Sequence, residues 1–196
     1  MLFRSKVMMV SHTTDLAVDF GRKVRNIIDT DAYRQIFPTI TLAADSKSAG
    51  RWNTNMGGEY FACGIGSSIA GRGADLLLVD DPHSEQDVLN GNFDVFDKAY
   101  DWFAYGARTR LMPGGRVAII QTRWHLSDLT GRVVKDMAQN EGADQYEVVE
   151  FPAILEVPSS ADSAKLIEKP LWPEFFDLAA LHRTKASMPL FQWNAQ

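Results

Sequence analysis

The 196-residue sequence predicts an α/β fold, a mainly parallel sheet flanked by helices. Three observations point to it. Apolar runs at 7–10, 76–79 and 117–120 read as short strands covered on both faces, the mark of a parallel sheet. Between them lie stretches whose apolar residues recur every three or four positions, as on a helix. Strands alternating with helices pack most simply as right-handed crossovers in one sheet.

Composition narrows the class. An apolar fraction of 45% and a charged fraction of 23% are those of a soluble globular chain large enough for a real core. No apolar run approaches the ~20 residues that span a bilayer. The start, Met1 to Lys6, lacks the long apolar run and cleavage site of a signal peptide. The single Cys63 excludes an internal disulfide framework, indicates a reducing compartment, and reads as a small strand residue. A net charge of -5 argues against a chain-wide DNA clamp. Residues 61–115 carry four Lys/Arg against eight Asp/Glu, which suits either a cation site or a solvated acidic face.

In chain order, Lys6–Ser11 is a buried strand. Thr13, Thr14 or Asp15 can cap the helix that follows. Leu16, Phe20, Val24 and Ile27 form its apolar stripe, with Arg22, Lys23 and Arg25 largely off it. A chain that opens almost directly on a core strand suggests a missing upstream segment. Tyr33–Phe37 is a short helix ended by Pro38. Ser46–Gly50 is a polar loop. Arg51–Thr54 and Glu59–Cys63 flank Asn55-Met56-Gly57-Gly58, a hairpin signal. Gly64–Gly73 is a glycine-rich loop leading into the strand that ends at Asp81. Ser84 can cap a short helix near Glu85–Leu89. A longer helix covers Phe93–Arg110, with Phe93, Phe96, Tyr100, Phe103 and Ala107 on one face, and Pro113-Gly114-Gly115 breaks it. Val117–Ile120 is another buried strand, ending in Gln121-Thr122-Arg123. Ser127 or Asp128 starts a helix toward Met137, with Leu129 and Val133 inward. Tyr146–Glu150 alternates like a late strand. Residues 156–170 read as a surface loop or linker, followed by a helix near Asp177–Lys185 and a last segment opened by Met188-Pro189.

The stretch Asp75-Leu76-Leu77-Leu78-Val79-Asp80-Asp81 organises the chemistry. In open α/β sheets ligands bind at the C-terminal strand ends. One acid there can hold magnesium against nucleotide phosphates, and a second can orient or deprotonate the attacking water. This is the shape of a Walker B element, although a plain strand capped by an Asp-Asp-Pro turn has the same residues. A phosphate loop, G-x-x-x-x-G-K-[ST], is absent. Its nearest match, Gly66–Gly73, has Arg72-Gly73 where Lys-Ser/Thr is needed and precedes a strand instead of opening a helix. Arg72 is either an arginine finger for a γ-phosphate on the same or a neighbouring subunit, or a surface residue in a glycine turn. Gln121 and Thr122 can sense the γ-phosphate or its water, or merely end a strand. Arg123-Trp124-His125 can stack on a base or a neighbour, or anchor the next helix. Asp80, Asp81, His83, Glu85 and Asp87 cluster in sequence, so a two-metal nuclease is the rival enzyme. It would need Asp45 or Glu150 to converge on Asp80. His12 and His182 have no partners in sequence and read as structural or solvent-facing.

Gly71-Arg72-Gly73-Ala74-Asp75 through Asp80-Asp81-Pro82, then Gln121-Thr122-Arg123-Trp124-His125-Leu126-Ser127-Asp128-Leu129-Thr130-Gly131-Arg132, resemble the ATPase half of tailed-bacteriophage terminase large subunits. The ending, Leu171–Phe176 through Phe191–Gln196, is similar to that family's passage from ATPase to nuclease domain. The resemblance implies an incomplete P-loop NTPase of the RecA-like type over 1–155, and a linker and helical segment over 156–196. It implies ATP as substrate and Mg2+ held by Asp80. Asp81 would be the catalytic carboxylate, where the family more often has Glu. Arg72 would act in trans, and Gln121, Thr122 and Arg123 would form the coupling motif. It further implies copies of the chain in a ring, double-stranded DNA, a portal and a small terminase subunit as partners, no membrane, and the cytoplasm of an infected bacterium. The Walker A segment would lie upstream and the nuclease carboxylates downstream, leaving this portion inactive alone. A non-catalytic assembly or DNA-contact module with a degenerate ATPase fold is the alternative.

Overall fold

The computed structural model describes residues 4–159 and 165–195. One compact unit runs to Gln121 and includes Ser127–Arg132; Thr122–Leu126 and the chain from Val133 onward make up the other.

The first unit is an α/β sheet layer. Its strands are β1 (Lys6–Ser11), β2 (Leu42–Lys47), β3 (Arg51–Thr54), β4 (Glu59–Gly64), β5 (Ala74–Asp80) and β6 (Leu111–Ile120). They lie in the order β2-β3-β4-β1-β5-β6. β4, β1, β5 and β6 run parallel, while β3 is antiparallel to β4 and to β2. The predicted mainly parallel sheet therefore forms, with an antiparallel hairpin extending one side. β5 lies between β1 and β6, and its Leu77 and Val79 are fully buried, as are Met8 and Val10 on β1 beside them. The unbroken apolar run of β5 follows from that position, since both faces of a parallel sheet lose contact with water.

Helix α1 (Thr14–Ile28) starts where predicted, with the Thr13 hydroxyl accepting from the Leu16 amide at 3.3 Å. Its inward face matches the predicted one only in part: Phe20 packs against the core and Leu16 is half-buried. Ala17, Gly21 and Ile28 are buried, whereas Val24 and Ile27 are 42% and 57% exposed. Gly21 sets this face. A Cβ there would overlap the Tyr60 ring and come within 2.6 Å of the Ala49 carbonyl oxygen. The Trp52 indole donates to the Gly21 carbonyl at 3.1 Å, and the Tyr60 hydroxyl donates to Ala17's at 2.8 Å. The two rings stack with centroids 5.1 Å apart. A stripe read from side-chain size misses a face chosen for close approach.

Helix α2 (Asp31–Ile36) is capped by Thr30 and stops short of Pro38. β2 is a correction, because Ser46 and Lys47, read as loop, belong to a strand paired with β3. Its polar sequence, Leu-Ala-Ala-Asp-Ser-Lys, suits an exposed sheet edge and hides the strand from a hydrophobic pattern. After β5 come α3 (Glu85–Leu89), capped by Ser84, and α4 (Asp94–Asp101). α4 continues as a π-helical turn over Trp102–Ala107 and a 3-10 turn over Arg108–Arg110. Phe96, Phe103 and Ala107 are buried as the stripe predicts, while Phe93 is half exposed. The Trp102 indole donates to the Ser67 carbonyl at 2.8 Å and pins the glycine-rich loop. Pro113-Gly114-Gly115 do end the helix, but they sit inside β6. The ladder skips from Ala74↔Leu111 to Leu76↔Arg116, and Gly114 has φ +78°. Such an excess of residues on one strand is a bulge.

In the second unit β7 (Ile154–Pro158) and β8 (Leu166–Pro170) form an antiparallel hairpin where a loop or linker over 156–170 was expected. Residues 160–164 of that stretch lie outside the described residues. Tyr146–Glu150 is not a strand: no strand among the described residues pairs with it, and Val148 and Val149 are 49% and 62% exposed. Helix α5 (Leu129–Gln139) crosses from one unit to the other in sequence, and α6 (Leu178–Ala186) and α7 (Leu190–Ala195) close the chain. His182, read as structural or solvent-facing, is half-exposed with Nε2 2.8 Å from the Glu168 carboxylate. No helix among the described residues is long and apolar enough to cross a membrane.

Replacing Gly21 by alanine forces α1 away from Ala49 and Tyr60, so Gly21→Ala is expected to lower stability by roughly 1–3 kcal/mol. Tyr60→Phe, which removes one buried hydrogen bond, is expected to cost about 1 kcal/mol. Urea unfolding of both variants checks the order; an unchanged midpoint for Gly21→Ala would contradict the close approach.

Candidate functional site

The C-terminal ends of β1, β5 and β6 meet at one place. β5 delivers Asp80 opposite Ile120 of β6. The next residue, Asp81, has φ +42°, the one non-glycine in the left-handed region among the described residues. Such a conformation costs of order 1–3 kcal/mol for most side chains, and it persists only where neighbours over-determine it. The neighbours are explicit. The Asp81 amide donates to the Ile120 carbonyl at 2.9 Å. The Asp81 carbonyl accepts from the His12 amide at 3.1 Å, with the His12 ring Nδ1 also 3.1 Å away. His12, read as structural or solvent-facing, is structural: it ties the end of β1 to the carboxylate turn. Its position immediately after a buried strand, at the end where α/β sheets bind ligands, was the signal available in the sequence.

Burial pushes the Asp80 carboxyl above the usual carboxylate range, and the charge of Asp81 beside it pushes further. A cation at this point relieves both effects. Magnesium binds proteins through one or two carboxylates, completing its shell with water and substrate phosphates, so a single Asp80 on a strand end fits it. Among the described residues no three His, Cys, Asp or Glu are grouped to hold a metal. The run Asp80, Asp81, His83, Glu85 and Asp87 is therefore a cluster in sequence only. Asp45 lies on β2, four strands from β5, roughly 19 Å at ordinary strand spacing.

His83 faces inward. It is 5% exposed and stands edge-on to Phe96 at 4.7 Å. Its Nε2 accepts from the Leu129 amide at 2.9 Å, so the carboxylate turn also fixes the start of α5. Asp128, fully buried, accepts from the Gly131 amide at 2.8 Å and caps the same helix. Burial lowers the His83 imidazole to about 4, with the charges of Asp128 and Asp87 opposing the shift.

Gln121 ends β6 one residue after the partner of Asp80. Both polar atoms of its amide are buried and without a hydrogen-bond partner among the described residues, as are His83 Nδ1 and Thr130 Oγ1. Unsatisfied buried amides are rare and suit a water or ligand. Thr122 and Arg123 belong to the second unit. Arg72 lies elsewhere: it precedes β5, whereas Asp80 ends it, a separation of about 20 Å along the strand. Its guanidinium lies 3.7 Å from the Phe61 ring centroid and 3.7 Å from Glu59 Oε1.

The His83 shift carries a stability signature. The unfolded imidazole titrates near its ordinary value of about 6.5, while the folded one stays neutral down to about 4. Between these values only the unfolded state binds the proton. His83 therefore contributes stability that is present above pH ~6.5 and declines toward pH ~4, by roughly 3 kcal/mol. Unfolding measured across that window should show a shallower acid decline in His83→Gln than in the wild type; identical slopes would contradict the buried neutral imidazole.

No protein-family model matches the chain, and no curated protein matches it.

Proposed function

We propose that this chain is the metal-and-water half of a terminase-like ATPase, which in the intact packaging protein couples ATP hydrolysis to translocation of double-stranded DNA. The observation that carries the reading is the juxtaposition at the C-terminal strand ends. Two adjacent carboxylates, one of them in a strained backbone, sit beside a buried glutamine amide with no partner. Aspartate enters the left-handed region more readily than most side chains, so the buried Gln121 amide, unsatisfied among the described residues, is the feature a plain strand end does not need. The motifs around Arg72 and Gln121–Arg132 supply the family resemblance.

In this reading Asp80 would hold a magnesium ion, which supplies charge neutralisation for a triphosphate when bound. Asp81 orients the attacking water and takes its proton. The Gln121 amide holds that water in line or senses the γ-phosphate. Arg72 is too far along β5 to reach its own chain's Asp80 and serves a neighbouring copy, as the resemblance implies. Thr122 and Arg123 carry the signal onward as the coupling motif. A P-loop NTPase also needs a Lys-bearing phosphate cradle, and the glycine-rich segment 64–73 connects β4 to β5 instead of opening a helix. The outer edge of β6, the terminal strand of the sheet, is where a further parallel strand bearing that cradle could add. The ring of copies, the portal and small subunit as partners, and the infected host's cytoplasm as location belong to the same proposal. The nuclease alternative loses Asp45, and the buried Gln121 amide favours catalysis over a purely structural module.

The purified 196-residue chain is expected to hydrolyse ATP no faster than background. In the intact protein, Asp80→Ala and Asp81→Ala should each lower kcat by roughly 100-fold or more. Robust hydrolysis by the chain alone, abolished by Asp80→Ala, would contradict the half-site reading. Unimpaired turnover in the intact Asp80→Ala protein would contradict the ATPase reading itself.

A further inference from the structure

A second constellation lies at the other rim of the sheet, where β1, β4 and β5 begin. Lys6 opens β1, opposite Glu59 at the start of β4. Arg51 opens β3, and Arg72 leads into β5. Their side chains line a depression of about 90 Å3 floored by Phe61. Arg72 lies flat over the Phe61 ring at 3.7 Å from the centroid. Its Nη1 is 3.7 Å from Glu59 Oε1, and Arg51 Nε donates to the same oxygen at 3.1 Å. One carboxylate thus holds two guanidinium groups side by side. A guanidinium carries five N–H donors. These two have no other side-chain or backbone acceptor among the described residues, so most of their donors remain available. The Lys6 amide is occupied by Asp75 at 2.7 Å. In a chain of net charge -5, two guanidinium groups share the Glu59 carboxylate here, and Lys6 lines the same depression.

Two guanidinium groups gathered at one carboxylate suit a tetrahedral oxyanion, which accepts bidentate bonds from arginine. Gly71 fixes the loop that presents Arg72: its φ of +75° is one that other residues adopt only under strain. Phe61 covers one face of the guanidinium, which limits its rotamers and lowers the entropy lost on binding. Glu59 keeps two like charges together in the absence of ligand and competes with the ligand for them.

We infer that Lys6, Arg51 and Arg72 form a phosphate-binding site at the N-terminal rim of the sheet, with Glu59 and Phe61 as its positioning residues. The ligand is a phosphate group, carried either by a free polyphosphate or by a nucleic-acid backbone. Such a site needs no ATP hydrolysis by this chain and lies about 20 Å from its carboxylate rim; it shares Arg72 with the trans role proposed above, whereas Lys6 and Arg51 belong to it alone.

The test uses the 196-residue chain at low salt. Pyrophosphate is titrated by calorimetry, and a fluorescein-labelled 20-base-pair DNA duplex by anisotropy. Arg51→Gln and Arg72→Gln are each expected to weaken binding roughly tenfold or more, the ordinary effect of losing a charge-assisted hydrogen bond. Glu59→Gln, which keeps the acceptor oxygen but removes the competing charge, is expected to tighten it several-fold. Lys23→Gln, on the outer face of α1, serves as the control and should change nothing. Arginine-dependent binding of pyrophosphate alone assigns a free polyphosphate; the same dependence with the duplex assigns a nucleic-acid backbone. Absence of binding to both probes, binding indifferent to Arg51→Gln and Arg72→Gln, or a loss in Glu59→Gln matching the arginine variants, would overturn the site. Circular dichroism of each variant separates lost binding from lost fold. Arg51, more than half exposed, leaves the core untouched when replaced.

Discussion

The arrangement depends on one backbone turn. β5 lies between β1 and β6 with Leu77 and Val79 fully buried on one face, so it cannot shift without unpacking them, and it delivers Asp80 and Asp81 to a fixed point. There the chain must leave the sheet, and it does so through a left-handed Asp81. That conformation is held from both sides, by His12 at the end of β1 and by the Ile120 carbonyl at the end of β6. Three strand ends are therefore fastened to a single residue. Two residues later His83 fastens the start of α5 to the same turn. A displacement at the carboxylates would be felt at each of these elements, which is the geometry expected where a chemical event is to be passed on.

The charge distribution along the sheet supports a division of labour. At the C-terminal rim burial, and then the charge of Asp81, raise the proton affinity of Asp80, a tension that a cation relieves. At the N-terminal rim Arg51 and Arg72 share one glutamate, a tension that an anion relieves. Structural ion pairs usually settle into neutral partners, whereas unbalanced clusters of one sign concentrate field at sites that take charged ligands.

Much of this was legible in the sequence, and the exceptions have physical reasons. β5 and its carboxylates announced themselves because a strand buried on both faces must be apolar throughout. The Thr13, Ser84 and Asp128 caps were legible because a helix start needs a side-chain acceptor close by. The inward face of α1 was legible only in part, since it is defined by Gly21 and by two carbonyls that receive Trp52 and Tyr60, and neither leaves a hydrophobic trace. β2 was hidden because edge strands are polar by necessity. His12 was passed over because its partner is a main-chain carbonyl 69 residues away. The separation of Arg72 from Asp80, eight positions apart, was legible too, since it follows from the strand read between them.

The most direct measurement is a Mn2+ titration of the isotope-labelled chain, followed by paramagnetic broadening of its NMR signals. Manganese stands in for magnesium on oxygen ligands. If the end of β5 is a metal site, broadening begins at Asp80 and Asp81 and extends first to His12 and Gln121, and Asp80→Asn abolishes it. Broadening that begins at Glu85 and Asp87, or that spreads evenly over the acidic surface and survives Asp80→Asn, would contradict the site.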